Sequence, residues 1–196
     1  MSENEENKGI EESQVEGEAP GEDEDYAGGP LVEVQHVKGI QPFFQFVSAA
    51  GAWGYYTAND VKPDSYALYR WNVATRQKEL LVGEPGLWNV SDHRPDGTLL
   101  LAKWTGSLTS EYWEWSPATR KLTPLLGQEK PEEYQAVYGA APGQLLVLTP
   151  KLGEYRKLCT YENGKLAPVT GDLAWDVSGF SLDEAKTRVL YTVNEA

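Results

Sequence analysis

An echo at 44 residues constrains this chain more than any other feature. Gly83, Gly127 and Gly171 fall 44 residues apart, and each closes a short strand-like run: Leu80-Leu81-Val82, Leu125-Leu126, Val169-Thr170. The segment Trp71-Asn72-Val73-Ala74-Thr75-Arg76 returns 44 residues later as Trp115-Ser116-Pro117-Ala118-Thr119-Arg120. A period of about 40–45 residues built from strand-like segments marks a β-propeller, whose repeating unit is a four-stranded antiparallel blade.

Reading along the chain gives the strands of each unit. Trp53 to Thr57 and Tyr66 to Trp71 are rich in aromatic and β-favouring residues, with a polar loop expected from Asn59 to Asp64. Lys78 to Val82 follows as a further strand. The second unit reads Leu87 to Ser91, Thr98 to Trp104, Glu111 to Trp115 and Lys121 to Leu126. Its run Leu99-Leu100-Leu101-Ala102 is the most apolar and is expected to be a strand buried on both faces. The third unit reads Tyr134 to Tyr138, Gln144 to Leu148, Arg156 to Tyr161 and Lys165 to Val169. The fourth contributes Trp175 to Phe180 and Arg188 to Val193.

A second glycine series runs in phase with the first. Gly51, Gly97 and Gly143, 46 residues apart, sit in the turn before the apolar strand, where a tight hairpin needs positive φ. The fourth copy, Ser181 to Thr187, lacks the glycine. The expected fold is therefore all-β: a partial propeller of about three and a half blades over residues 31–196. The blades fall near 44–83, 87–127 and 134–171, with an incomplete one at 175–196. Closed propellers carry about four to eight blades. The missing blades are expected from a longer polypeptide or, as the alternative, from another chain.

The charge of −13 is concentrated at the start of the chain. Residues 1–25 hold eleven acidic side chains against one base, Lys8, and carry −10, leaving −3 for the rest. With Met1, Ile10 and Val15 as the large apolar residues of that stretch, residues 1–30 are expected to be a disordered acidic tail. It reads as a solubilising or repelling arm, or alternatively as an acidic docking segment. A basic stripe is absent, which argues against nucleic acid as a partner. No apolar run approaches the ~18–20 residues of a membrane span, and no secretory signal opens the chain. Cys159 is the single cysteine, so no internal disulfide forms. The cytoplasm is the expected compartment.

Several segments resemble a known family. Arg94-Pro95-Asp96-Gly97-Thr98-Leu99-Leu100-Leu101, and Phe180-Ser181-Leu182-Asp183 through Arg188-Val189-Leu190-Tyr191-Thr192, resemble the strand starts of TolB-like propellers. The same pattern occurs in the N-terminal propellers of the prolyl oligopeptidase family of serine peptidases. Leu68-Tyr69-Arg70-Trp71-Asn72-Val73-Ala74-Thr75 resembles the family's third strand and turn, with Arg76 where glycine is usual. The resemblance covers about residues 44–196. It implies a non-catalytic propeller that gates peptide access to a C-terminal α/β-hydrolase domain. That domain has no counterpart in this sequence, so no catalytic residue is carried over.

The residues themselves offer little chemistry. No G-x-S-x-G nucleophile elbow is present. His36 and His93, the two histidines, read as solvated loop residues, and Cys159 reads as a strand packing residue. No ligand spacing for a metal appears, and no cofactor is expected. Of the seven tryptophans, Trp71 and Trp115 share one repeat position, and Trp88, Tyr134 and Trp175 share another, as packing between blades requires. Trp53 and Trp113 are less tied to the repeat and are the candidate partner-facing residues. The expected partners are a peptide substrate or a protein. A stand-alone TolB-like interaction module is the alternative to the peptidase propeller.

Overall fold

The computed structural model describes residues 32–195, and every regular element among them is a β-strand. The acidic tail expected over residues 1–30 lies outside the described residues. The first blade comprises β1 (Pro42–Val47), β2 (Trp53–Lys62), β3 (Ser65–Asn72) and β4 (Lys78–Val82). The second comprises β5 (Leu87–His93), β6 (Leu99–Trp104), β7 (Ser110–Ser116) and β8 (Lys121–Leu126). The third comprises β9 (Gln135–Tyr138), β10 (Leu145–Thr149), β11 (Lys157–Glu162) and β12 (Lys165–Pro168). A half blade of β13 (Val177–Leu182) and β14 (Val189–Val193) follows. Within each blade successive strands pair antiparallel, and Tyr66 of β3 meets Leu87 of β5 in a parallel bridge at the seam of the first two blades. The fold is a partial β-propeller of three and a half blades. Among the described residues no helix is long and apolar enough to cross a membrane.

The second strand of each blade explains the stacking. Alternate residues of a strand point to opposite faces, so an unbroken apolar run must be covered on both. Leu99 and Leu101 of β6 pack back onto Tyr55, Leu68 and Val82 of the first blade. Leu100 and Ala102, on the other face, pack forward onto Tyr134, Ala136, Leu145 and Val147 of the third. Leu146 and Leu148 of β10 then meet Val177, Phe180 and Val189 of the half blade.

The turn glycines behave as the sequence requires. Gly51, Gly97 and Gly143 have φ of 68°, 86° and 76°. Gly127, at φ 94°, also lacks room: a Cβ there would lie 2.8 Å from the Ser110 carbonyl oxygen. Arg76 and Arg120, at φ 57° and 56°, hold the left-handed conformation at the matching turn of two blades without being glycine.

Two expectations are corrected. The supposed polar loop at Asn59–Asp64 is strand as far as Lys62, because the polar groups find partners along the extended backbone. Asn59 Oδ1 accepts from Gln41 N at 2.7 Å, and Asp60 accepts from the Tyr69 hydroxyl at 2.5 Å and from Lys78 Nζ at 3.1 Å. Trp175 is 41% exposed, unlike Trp88 and Tyr134, which are buried, so the three do not share one packing role.

A clasp links the ends of β5 and β9 to the turn between β13 and β14. Asp92 Oδ2 accepts from the Tyr138 backbone N–H at 2.9 Å and from Lys186 Nζ at 2.6 Å. Lys186 Nζ also donates to the Tyr138 carbonyl at 3.2 Å. The half blade is thereby linked to the second blade across the third.

Three substitutions test this packing by urea denaturation. Leu100→Ala should cost about 2–5 kcal/mol, as expected for a fully enclosed leucine. Gly143→Ala, with nothing within 4 Å of its Cβ position, should cost only the left-handed strain of about 1–2 kcal/mol. Gly127→Ala should cost more than Gly143→Ala because of the Ser110 carbonyl. Alkali gives a further check. Burial, with the Asp60 charge adding to it, pushes the Tyr56 phenol up to about 12, and Tyr69 and Tyr138 are raised as well. Unfolded tyrosine ionises near ~10, so stability should be intact below that pH and fall as the pH rises towards 12. Absorbance at alkaline pH should show these phenols ionising only as the fold is lost.

Candidate functional site: an aromatic cleft between the first two blades

β1 is more apolar than its position allows. Its sequence Pro42-Phe43-Phe44-Gln45-Phe46-Val47 places three phenylalanines on a strand that is mostly exposed. A register shift between Phe44 and Phe46 breaks the simple alternation against β2. Phe46 turns inward and stacks on Tyr55 at 4.3 Å and on His93 at 4.0 Å. His93, expected as a solvated loop residue, is thus the exposed end of β5 with one ring face covered. Phe43 and Phe44 remain 52% and 71% exposed.

These rings form one wall of a cleft of about 400 Å³ that opens at the seam of the two blades. Phe43 leans on Tyr66 with ring centres 5.2 Å apart. Leu87 and Trp104, directly opposite each other across β5 and β6, form the other wall. Trp104 is 46% exposed. Trp88 lies buried in the floor, its indole N–H donating to the Glu84 carbonyl at 2.8 Å. Gln45 fixes the two blades here: its Oε1 accepts from the Val90 backbone N–H at 3.0 Å. Single exposed apolar side chains are ordinary on a protein surface, but a contiguous group walling one cleft marks an interaction site.

The lining contains no carboxylate, cation, histidine or cysteine. Its polar groups are the amides of Gln45 and Asn89, the Thr57 hydroxyl and the Tyr66 hydroxyl, which donates to Gln41 Oε1 at 2.8 Å. Such a surface can stack on, enclose and hydrogen-bond a ligand. It offers no nucleophile–base pair and no metal ligand set. Among the described residues no group of three potential metal ligands is found anywhere. Cys159 is fully buried, and that burial pushes its thiol up.

Neither candidate tryptophan lines the cleft. Trp53 and Trp113 both border the cluster between the first two blades and are half-buried there. The Arg70 guanidinium lies 4.1 Å over the Trp53 ring and donates to Glu79 at 2.6 Å. Arg120 of the second blade pairs with the same carboxylate. Partial burial favours the neutral acid, yet these two guanidinium hydrogen bonds hold Glu79 below the ordinary carboxylate range. The Trp113 indole donates to Glu111 at 3.1 Å, and its ring meets the edge of Trp88 at 6.0 Å. The cleft residues Phe43, Phe44, Tyr66, Leu87 and Trp104 were missed by sequence reasoning. The signal for the first two lay in β1, whose apolar residues exceed what one buried face requires. Iodide, which reaches exposed indoles, should quench Trp104 and Trp175 while sparing Trp88 and Trp115. Trp104→Phe should therefore remove much of the quenchable fluorescence.

No family model matches the chain, and no curated protein matches it. Solved structures do. TolB from Acinetobacter baumannii superimposes with a TM-score of 0.58 at 14% identity, over 77% of this chain and 37% of that one. A prolyl endopeptidase gives 0.56 at 12% identity, over 72% of this chain and 23% of that one. A putative TolB from Agrobacterium tumefaciens gives 0.50 at 15% identity, over 67% and 46% respectively. This chain spans less than half the length of each of the three. At these identities the likeness is one of fold: the chain has a propeller fold of the TolB and prolyl endopeptidase kind.

Proposed function

We propose that this chain is a non-catalytic β-propeller binding module whose aromatic cleft between the first two blades holds an extended peptide segment. The observation that carries this reading is the exposed group Phe43, Phe44, Leu87 and Trp104 around a cleft with amide and hydroxyl groups and no charge. Extended peptides suit it, because their backbone offers donors and acceptors to amides while their side chains lie on aromatic faces. Ionic ligands do not suit it, since nothing in the lining would compensate their desolvation.

A narrower form of this reading is that the module belongs to a prolyl-oligopeptidase-like serine peptidase and controls peptide access to a hydrolase domain. The fold likeness to a prolyl endopeptidase favours it. So do the strand starts at Arg94–Leu101 and Phe180–Thr192. A G-x-S-x-G elbow encoded after residue 196 in the genomic reading frame would support this form, and its absence would count against it.

Peptides selected from a displayed library against the chain test the broader reading. Phe44→Ala and Trp104→Ala should each weaken selected peptides by about tenfold or more. Phe44→Ala should change stability by less than about 0.5 kcal/mol, because its side chain is 71% exposed, whereas Trp104→Ala, at a side chain 46% exposed, should cost somewhat more. Selected peptides indifferent to both substitutions would refute the cleft as the binding site.

A further inference from the structure

A second pocket lies at the seam of the second and third blades, and its chemistry differs from that of the aromatic cleft. It has a volume of about 220 Å³ and shares no lining residue with the cleft. Leu125, Leu126 and the loop that follows β8 form one side, and Tyr134, Lys151 and Tyr161 form the other. Two phenols span the seam. Tyr134 is held 4% exposed beneath Gly127, whose Cβ position lies 3.3 Å from the Tyr134 ring. Tyr161 reaches back from β11 and donates to the Leu125 carbonyl at 2.7 Å. Lys151 lies along the Tyr134 ring, its Nζ 5.7 Å from the ring centre and donating to the hydroxyl oxygen at 3.0 Å.

The donors here exceed what the protein itself uses. The Tyr134 hydroxyl accepts from Lys151, but its own O–H has no acceptor among the described residues, although the side chain is buried. Lys151 has three N–H groups and spends one on Tyr134. Neither Lys151 nor Lys130, which also lines the pocket, forms an ion pair among the described residues. The Tyr134 hydrogen bond outweighs the cost of burial and, with the charges of Glu132 and Glu129, holds Lys151 above the ordinary lysine value. The ammonium is therefore cationic at neutral pH. Charged side chains of the lining are Lys130 and Lys151 against Glu129, which leaves one positive charge.

We propose that this pocket binds a carboxylate carried on a short apolar body. The carboxylate accepts from the Lys151 ammonium and the Tyr134 hydroxyl, two donors 3.0 Å apart that suit its two oxygens. The apolar body lies on the Tyr161 ring and the Leu125 side chain. One negative charge is matched by the lining, so its desolvation is compensated. A dianion such as phosphate meets Glu129 and the nearby Glu132 with its second charge unmatched. The volume sets the size: at ~30 Å³ for each water-sized group, it holds roughly seven heavy atoms. Isovalerate has that size, and so does the last residue of a chain that ends in leucine.

Titration of the isotope-labelled chain, followed through its amide NMR signals, tests the site. Isovalerate should shift the signals of Gly127, Lys151 and Gly164 saturably, with a dissociation constant on the order of millimolar for so small a ligand. 3-Methylbutanol, which lacks the carboxylate, should not. Lys151→Met, at an exposed position, and Tyr134→Phe, which keeps the ring, should each weaken binding about tenfold. Glu129→Gln should strengthen it about twofold by removing a like charge. Trp104→Ala should leave it unchanged, which separates this pocket from the cleft. N-acetyl-glycyl-leucine distinguishes the source of the carboxylate. Binding tighter than isovalerate, lost in its C-terminal amide, identifies a chain terminus; weaker binding identifies a free acid, and either supports the site. No saturable shift with isovalerate or the peptide acid, equal shifts with the alcohol, tighter binding of phosphate, or indifference to Lys151→Met would overturn the proposal.

Discussion

Burial of the second strands of the second and third blades, each between two neighbouring blades, is the constraint on which the structure depends. A blade is a sheet about one layer thick, and its central strand carries apolar side chains on both faces. It cannot be stable with water on either side, because each leucine left exposed forfeits about 1.5–3 kcal/mol of transfer free energy. Leu99 and Leu101 are enclosed only because the first blade lies behind them, and Leu100 only because the third lies in front. The inter-blade polar contacts add register to this packing: Gln45 to Val90, Ser91 to the Ala136 carbonyl, Asp92 to the Tyr138 N–H. Each uses a side chain on one first strand to engage the backbone of the next, so blades cannot slide without exposing unsatisfied groups.

The same constraint explains where the molecule has surface to spare. Apolar residues that belong to the stack are covered, whereas those of the cleft lie at the seam's outer end, past the reach of the neighbouring strands. Phe43 and Phe44 contribute little to the inter-blade core; Phe46, two residues on, does. Residues that keep an apolar side chain without using it for folding are those free to contact something else.

Much of the fold was legible in the sequence because a repeat prints the same physical demand several times. The positive φ at Gly51, Gly97 and Gly143 follows from a turn with one geometry, and the run Leu99-Leu100-Leu101 follows from burial on two faces. What was not legible depended on partners distant in sequence. Asp60 reads as a loop residue until Tyr69 and Lys78 are seen to hold it on a strand. Trp175 reads as a packing residue by its place in the repeat, yet it is exposed where Trp88 and Tyr134 are buried. The cleft arises from β1, β3, β5 and β6 meeting at one seam, and no local pattern reveals that Trp104 and Phe44 face the same space. Trp53 and Trp113 stood out by falling outside the repeat. That distinction in sequence did not indicate how Arg70, Glu111 and Trp88 surround them.

In a stack where each unit touches only its neighbours, stability resembles that of a one-dimensional lattice, and an end unit can loosen without the interior taking notice. The Lys186 clasp breaks that rule. By reaching past the third blade to Asp92, it adds a next-nearest-neighbour coupling to the lattice. Fraying of the half blade then withdraws a cation from the carboxylate that also holds the Tyr138 amide, so an event at the end of the array is felt two units inward.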